Sequence, residues 1–270
     1  MSSTRKSLIV CILLICIFYI HSHGSNVCHT GKKNKYENFS GEGLHHNRLT
    51  KNFTTNSQKI TYLFCSGGYD SIYQLCHLTL HEKKIVQPMY LNMEDLDGDT
   101  KRKNTHYELK SIQNAINEIT RAGYGKHVLP VRTFENFELP KRIKEAGEYF
   151  HSRGEFSRPI TQYVYMAGIS YAMKTPIETG ILCSPTGAIY KSLGNIINYQ
   201  TKMINPKIAD KHQILFRYLK FPLCGISKRQ MMKKSKRLGF FHILQKSISC
   251  WFPKNGSPCG ECRMCQERII

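Results

Sequence analysis

Short apolar runs alternate along the chain with longer segments in which apolar residues recur every three or four positions. The apolar runs cover residues 60–65, 85–91, 127–131 and 177–183. Turn-forming or charged residues bound each run, as is typical of buried strands. Helices are predicted over residues 71–81, 107–122 and 160–173, since Leu109, Ile112 and Ile116, for example, share one helical face. The alternation predicts an α/β fold with a doubly wound, mainly parallel sheet and helices on both faces.

The N-terminal segment, residues 1–58, differs in composition from the rest. Arg5 and Lys6 precede an apolar run over residues 8–20 that is too short to span a bilayer comfortably, and small residues follow it. We interpret residues 1–24 as a signal peptide-like segment, with a short membrane anchor as the alternative. Residues 25–58 are basic, polar and poor in acids. This transit-like segment is predicted to be disordered.

Length and charge set the outer limits on function. The chain has 270 residues and a net charge of +20, from 39 basic and 19 acidic side chains. This length allows one α/β domain of about 210 residues plus extensions. The charge predicts attraction to anions such as ATP, a nucleic acid or a membrane surface. A solvated basic face explains it equally well, because aromatic residues do not alternate with the lysines as they do on surfaces that stack single strands.

The sequence SGGYDS, residues 66–71, joins the first predicted strand to the first predicted helix. Adjacent glycines let the backbone turn sharply, and the start of a helix offers N–H groups and the positive end of its dipole to an anion. We therefore predict a phosphate-binding loop formed by Ser66, Gly67, Gly68, Asp70 and Ser71. It lacks the lysine of the ordinary P-loop, so serines and backbone amides are expected to hold the phosphates, with Asp70 beside them or a metal. A glycine-rich turn without a ligand is the alternative.

Four cysteines near the C-terminus have the spacing of zinc ligands. Cys250 is followed by eight residues and then by Cys259, Cys262 and Cys265. Cys-x-x-Cys turns aim two sulfur atoms at one point, so the four thiolates can close a tetrahedral site. Four cysteine ligands leave no open coordination position, which predicts a structural zinc in a C-terminal tail, residues 249–270. Disulfides or a redox pair are the alternatives.

Together, SGGYDS and CWFPKNGSPCGECRMCQER resemble the 7-cyano-7-deazaguanine synthase family of queuosine biosynthesis, a QueC-like family of PP-loop ATP pyrophosphatases. Three intermediate segments fit the same resemblance: residues 153–159 with the helix that follows them, residues 178–183, and residues 221–228. The resemblance spans roughly residues 60–268. It implies that residues 59–248 form a PP-loop ATP-binding catalytic domain of the adenine nucleotide alpha-hydrolase-like, Rossmann-like fold.

This resemblance implies an ATP-dependent carbon–nitrogen ligase that converts 7-carboxy-7-deazaguanine and ammonia to 7-cyano-7-deazaguanine through an adenylated intermediate. ATP, Mg²⁺ and Zn²⁺ are the implied cofactors. Besides Asp70, the implied catalytic residues are Lys228, near the phosphates or the activated oxygen, and Arg158, which would hold the anionic or purine-like edge of the substrate. Ordinary surface charge is the alternative for both. Residues 95–99 contain three aspartates that are further candidates for Mg²⁺.

The chain departs from the family pattern where substrate recognition is expected. Residues 93–99 replace an Asp-Tyr-Gly-Gln segment, Pro159 replaces an asparagine, and Gln230 replaces a glutamate. Two alternatives therefore stay open. One is a PP-loop adenylating enzyme that acts on another carboxylate or nucleoside. The other is a non-catalytic, zinc-stabilised relative that binds a nucleotide or nucleic acid.

Location and partners follow from the same chemistry. ATP use and a thiolate zinc site favour a reducing compartment. We expect residues 1–58 to act as a bipartite leader that resembles the import signals of plastids, with the cytoplasm as the alternative. The expected partners are a small-molecule deazapurine and ammonia. A nucleic acid, a membrane contact through an uncleaved N-terminal segment and a homodimer stay open.

Two further expectations concern the interior of the catalytic domain. Four cysteines lie in apolar sequence and are expected to be free thiols of the core: Cys65, Cys76, Cys183 and Cys224. Residues 191–212 show little periodicity and several polar side chains, which predicts a surface excursion over the active site.

Overall fold

A five-stranded parallel sheet forms the centre of the protein in a computed structural model that describes residues 59–93, 104–135, 137–156, 160–183, 193 and 195–266. The strands are Thr61–Phe64 (β1), Val86–Leu91 (β2), Arg132–Phe134 (β3), Ile177–Thr179 (β4), Ile197–Asn198 (β5), Met203–Ile204 (β6) and Leu219–Lys220 (β7). The order in the large sheet is β3-β2-β1-β4-β7, and β5 pairs with β6 in a separate two-stranded sheet.

The first five helices precede β7 and lie between strands along the chain, and the last three follow β7. The helices are Tyr69–Cys76 (α1), Thr105–Ile119 (α2), Lys141–Ser152 (α3), Gln162–Met173 (α4), Asp210–Phe216 (α5), Lys228–Arg237 (α6), Phe241–Gln245 (α7) and Arg263–Gln266 (α8). A π-helical turn, His77–His81, continues α1. The four strand pairs of the large sheet are all parallel.

Both faces of the sheet are covered. Neighbouring residues of a strand point to opposite faces, and Leu63 and Phe64 of β1 accordingly belong to two different buried clusters. The cluster of Leu63 includes residues of α1, α2, α6 and α7. The cluster of Phe64 includes residues of α3, α4 and α5. The predicted α/β architecture, with helices on both sides of a mainly parallel sheet, is therefore confirmed.

Element boundaries differ from the prediction most at the third strand. The run 127–131 was expected to pair, but β3 begins at Arg132 and only Val128 bridges to Val86. Pro130 interrupts that run and has no N–H group to donate to a sheet. The pairing with β2 therefore lies beyond it, from Met89↔Arg132 to Leu91↔Phe134.

The segment expected to be a surface excursion, residues 191–212, is mostly exposed or half-buried where the structure describes it, but three of its apolar residues reach the core. Leu193, Ile197 and Ile204 are at most 6% exposed and belong to the cluster of Phe64. A polar turn joins β5 to β6, and the Asn198 carboxamide oxygen accepts from the backbone N–H groups of Gln200 and Thr201. Because this short turn is polar, it interrupts the pattern of apolar positions, and the sequence shows little periodicity here.

Two of the four expected free thiols are joined. A disulfide links Cys183 to Cys224, with Cα atoms 4.6 Å apart, so the expectation of free thiols is wrong for this pair. Cys183 lies four residues after β4 and Cys224 four residues after β7, and these neighbouring parallel strands bring both to one edge of the sheet. Cys65 and Cys76 are buried free thiols as expected, and burial raises the pKa of Cys65 to about 11.

Several sequence expectations lie outside the described residues. They concern the N-terminal segments 1–24 and 25–58, the acidic residues 94–99, and Arg158 with Pro159. Within the part of the chain that the structure describes, no helix has the length and apolar content needed to span a membrane.

Candidate functional site

The predicted phosphate-binding loop lies at the carboxyl end of β1 and leads into α1. Gly67 has φ +71°, and a Cβ atom at this position would lie 2.4 Å from the Glu108 carbonyl oxygen. No other residue fits, because the left-handed conformation and the close backbone of α2 both exclude a side chain. In parallel α/β sheets ligands bind at this edge. The fold therefore fixes the loop where a ligand is expected.

Two further glycines bring chain segments close to the start of α1. Gly68 is the N-cap residue, and a Cβ atom on it would lie 3.2 Å from the Ser249 Oγ atom. A Cβ atom on Gly180, just after β4, would lie 2.9 Å from the Ser71 backbone nitrogen. In the sequence, Gly180 is only one residue of the predicted strand 177–183. Its role is visible once β4 is known to lie next to β1.

The two serines of the loop have different environments. Ser71 is 4% exposed, and its Oγ atom accepts from the Ser66 backbone N–H at 3.2 Å and donates to the Gly68 carbonyl oxygen at 3.1 Å. Ser66 is exposed, with its Oγ atom 3.4 Å from that of Ser71. Ser71 thus braces the loop from inside, while Ser66 faces solvent.

Asp70 is the acid in the first turn of α1 and is partly buried. A carboxylate at this end of a helix is stabilised by the helix dipole. Next to bound phosphates the same carboxylate would need a cation, and an oxygen ligand of this type suits Mg²⁺. The arrangement is compatible with the predicted role of Asp70, which stays a prediction.

The start of α2 supports the loop through residues that the sequence analysis did not assign to the site. The Ser111 hydroxyl donates to the Gly67 carbonyl oxygen at 2.7 Å. The Glu108 carboxylate accepts from the Tyr90 hydroxyl and from the Asn104 side-chain amide, both at 2.8 Å. These bonds hold the backbone of α2 against Gly67. No local sequence signal identifies them, because they join residues from different elements.

Lys228 is the first residue of α6 and is partly buried. A capping box fixes the start of this helix: the Gln230 N–H donates to Ser227 Oγ at 3.2 Å, and the Ser227 N–H donates to Gln230 Oε1 at 2.7 Å. Glutamate and glutamine both serve at this capping position. Gln230 therefore has a structural role in capping α6, a role that a glutamate at this position could also fill.

The four tail cysteines form one cluster. Their sulfur atoms all lie within 4.8 Å of one another. The closest pairs are Cys262 with Cys265 at 3.5 Å, Cys259 with Cys265 at 3.9 Å and Cys250 with Cys262 at 3.9 Å. Sulfur atoms at the corners of a tetrahedron around zinc lie about 3.8 Å apart, given a zinc–sulfur bond of about 2.3 Å. Donor type and spacing therefore fit a closed, structural zinc site.

Backbone N–H groups prepare this cluster for a cation. The N–H groups of Cys259 and Cys262 donate to the sulfur atoms of Cys250 and Cys259, at 3.2 and 3.3 Å. Hydrogen bonds from the backbone of Cys262 and Glu261 lower the pKa of Cys259 to about 6. Burial raises the pKa of Cys250. The thiolate of Cys250 thus needs a bound cation more than that of Cys259 does.

The chain around the start of the tail contacts the loop directly. The Ile248 N–H donates to the Gly67 carbonyl oxygen at 3.2 Å, and the Tyr69 N–H donates to Ser249 Oγ at 3.1 Å. The Asn104 side-chain amide donates to the Cys250 carbonyl oxygen at 3.2 Å. The oxygen of Ser249 also shows that an N–H group of the first helical turn can reach an oxygen acceptor, as phosphate binding requires.

Comparison with known proteins identifies the C-terminal part of the chain. Residues 197–269 match the family model QueC, described as "Queuosine biosynthesis protein QueC". The matched segment includes Lys228 and the four cysteines, and the loop 66–71 precedes it. The match supports the resemblance to a QueC-like family within residues 197–269. No curated protein matches the chain.

Proposed function

We propose that this QueC-like chain is an ATP-dependent carbon–nitrogen ligase that forms 7-cyano-7-deazaguanine from 7-carboxy-7-deazaguanine and ammonia. The family match covers only residues 197–269. The observation that carries the proposal is the contact between this matched segment and the glycine loop, through Ile248 with Gly67 and Ser249 with Tyr69. This contact supports one site that combines the loop with the family-matched residues.

In this proposal the loop holds the phosphates of ATP. Ser66 and backbone N–H groups of the first turn of α1 other than that of Tyr69, which donates to Ser249, donate to phosphate oxygens, while Ser71 and Gly67 keep the loop in shape. Asp70 is the proposed ligand of Mg²⁺. Backbone donors that are fixed in advance stabilise developing negative charge at no cost of reorganisation. The loop would therefore favour departure of pyrophosphate.

The proposed reaction activates a carboxylate, which is otherwise a poor acceptor. ATP supplies the leaving group: the substrate carboxylate attacks its α-phosphorus and pyrophosphate departs. Ammonia then displaces AMP to give the amide. A second ATP adenylates the amide oxygen with release of another pyrophosphate, and loss of AMP and the N–H protons leaves the nitrile. We assign Lys228 to the phosphates or the activated oxygen and Arg158 to the substrate edge.

Zinc has no proposed part in the chemistry. A site closed by Cys250, Cys259, Cys262 and Cys265 leaves no coordination position for a substrate. The tail would therefore contribute to the activity through its structure and not through the chemistry of its metal.

A second candidate keeps the adenylation and changes the acceptor. Residues 94–99 and Pro159 depart from the family pattern in segments assigned to substrate recognition. This favours another carboxylate or a nucleoside as the alternative acceptor.

One assay separates these functions. Full-length protein is incubated with Mg²⁺, ATP, ammonia and 7-carboxy-7-deazaguanine, and both pyrophosphate and the nitrile are measured, the nitrile by mass. The proposal expects both products. Pyrophosphate release that requires a different acceptor would favour the second candidate. Absence of pyrophosphate with any carboxylate or nucleoside tested would leave a non-catalytic binding protein.

A matched pair of variants tests the loop in the same assay. Asp70→Ala is expected to reduce turnover at least about 100-fold, because it removes the proposed cation ligand, and to leave zinc content unchanged. Asp210→Ala is the control, since Asp210 is an exposed acid in the first turn of α5. Equal loss of turnover in both variants, or full activity of Asp70→Ala, would contradict the assignment.

A further inference from the structure

We propose that Ser249 is a positioning residue through which the zinc-binding tail holds the loop 66–71 in its nucleotide-binding shape. Zinc occupancy and nucleotide affinity are then thermodynamically coupled. This inference rests on the proposed binding of ATP by the loop. It adds a regulatory property, because loss of zinc would weaken nucleotide binding at a site to which the metal contributes no ligand atom.

The contact joins three consecutive residues of the loop to two consecutive residues around the start of the tail. Ile248 donates to Gly67, Ser249 accepts from Tyr69, and between these two bonds the Ser249 Oγ atom lies 3.2 Å from the position that a Cβ atom on Gly68 would take. Glycine at 68 therefore allows the hydroxyl to come this close. The hydroxyl satisfies the first N–H group of α1, which has no partner within the helix.

The path from this hydroxyl to the metal cluster is one peptide bond long. Cys250, the residue after Ser249, is 2% exposed, and its sulfur atom accepts from the Cys259 N–H and lies 3.9 Å from the Cys262 sulfur. On the other side, its carbonyl oxygen accepts from Asn104. The backbone of Ser249 is thus held between the cluster and α2.

Burial does little to hold the remainder of the tail, residues 251–266. No described residue from 251 to 266 is buried, and Phe252 is 43% exposed. Without the metal this segment has no apolar core of its own, and Cys250 keeps only its burial and the bond from Asn104. Release of the cluster would therefore loosen Ser249 and weaken its bond with the N–H of Tyr69.

Coupling of this kind is reciprocal. If zinc raises the affinity for a nucleotide by some factor, the nucleotide raises the affinity for zinc by the same factor. This gives two independent measurements, neither of which depends on turnover. One is the Kd of a non-hydrolysable ATP analogue in the presence of Mg²⁺. The other is the rate at which zinc passes to a chelating dye, with and without the analogue.

The experiment compares four full-length proteins: wild type, Ser249→Ala, Ser249→Thr and Ser257→Ala. Ser257 is the control because it lies in the same tail, is exposed and makes only backbone bonds, with Lys254. Ser249→Ala is expected to keep its zinc and to bind the analogue about fivefold more weakly, the loss of one hydrogen bond. Ser249→Thr, which keeps the hydroxyl, and Ser257→Ala are expected to bind it like wild type.

The dye measurement gives the second criterion. The analogue is expected to slow zinc transfer from wild type and to have no such effect on Ser249→Ala. If wild type binds the analogue but Ser249→Ala matches it in both measurements, the inference is overturned and the proposed function stands. If wild type binds no analogue, both are overturned. If Ser249→Ala loses zinc, wild type alone decides: equal Kd values before and after zinc removal overturn the inference.

Discussion

The loop 66–71 and the C-terminal tail, which begins at Ser249, are in contact but are held in different ways. Around the loop, Leu63, Ile72 and Tyr73 are fully buried, and Gly67 is clamped against the backbone of α2. In the tail no described residue after Cys250 is buried. The fold therefore determines the geometry of the loop, whereas the geometry of the tail depends on four thiolates and the cation that suits them. Two regions of one protein that contact each other thus depend on two separate sources of order.

Removal of zinc should have the largest effect: it should disorder the tail and leave the fold around the loop intact. Cys262→Ser is expected to abolish zinc binding and to remove amide-exchange protection throughout residues 251–266, since structural zinc contributes on the order of 10 kcal/mol to such sites. Protection of β1 and α1 should remain, because neither of their buried clusters includes a residue of the tail. Ser257→Ala is the zinc-retaining control. Loss of protection in β1 together with the tail would show that the fold and the metal site are a single unit.

Substitution of Gly67 should damage the other region. Gly67→Ala is expected to cost about 3 kcal/mol of unfolding free energy, since it combines left-handed strain with a backbone clash. Gly123→Ala is the matched control: its φ is +86° and nothing lies within 4 Å of the added Cβ atom. Strain alone should cost about 1 kcal/mol there. Urea unfolding measures the loss of unfolding free energy in both variants. Equal losses would mean that the backbone of α2 moves to accommodate the added side chain.

Acid should destabilise the folded protein through the protonation of His77. Burial, and next the nearby Lys234, lower the pKa of this imidazole from 6.5 to about 4. Its Nε2 atom lies 3.2 Å from both Lys234 Nζ and Glu82 Oε1. Between those two pH values the unfolded chain binds more protons than the folded chain, so stability present above pH 6.5 is lost as the pH falls.

A variant isolates this contribution. His77→Gln is expected to lose about 1–2 kcal/mol less stability than wild type on acidification across that range, a value reduced for partial exposure. Urea unfolding at the two pH values measures it, and the exposed His242→Gln is the control. The same pH dependence in all three proteins would mean that other groups dominate the response to acid.

Local sequence signals were sufficient for the parts of the site that adjacent residues create. The doubled glycine after an apolar run and the cysteine spacing both identified features whose geometry the structure bears out, a strand-to-helix loop and a sulfur cluster. The alternation of strands and helices likewise predicted the parallel sheet. These features depend on interactions within a few residues or on a repeating pattern.

Contacts between distant residues could not be predicted in this way. Ser249 and Tyr69 are 180 positions apart, and a lone serine before a cysteine carries no signal that it caps another helix. The pairing of Cys183 with Cys224 became evident only from the adjacency of β4 and β7. The same holds for Gly180, whose missing side chain matters only because β4 lies beside β1.

The central claim is that the loop 66–71 binds the phosphates of ATP. A crystal structure of the full-length protein with Mg²⁺ and a non-hydrolysable ATP analogue tests it most directly. The account predicts phosphate oxygens within hydrogen-bonding distance of Ser66 and the backbone N–H groups at the start of α1, with a cation beside Asp70. A nucleotide bound elsewhere while this loop keeps only protein contacts would contradict it.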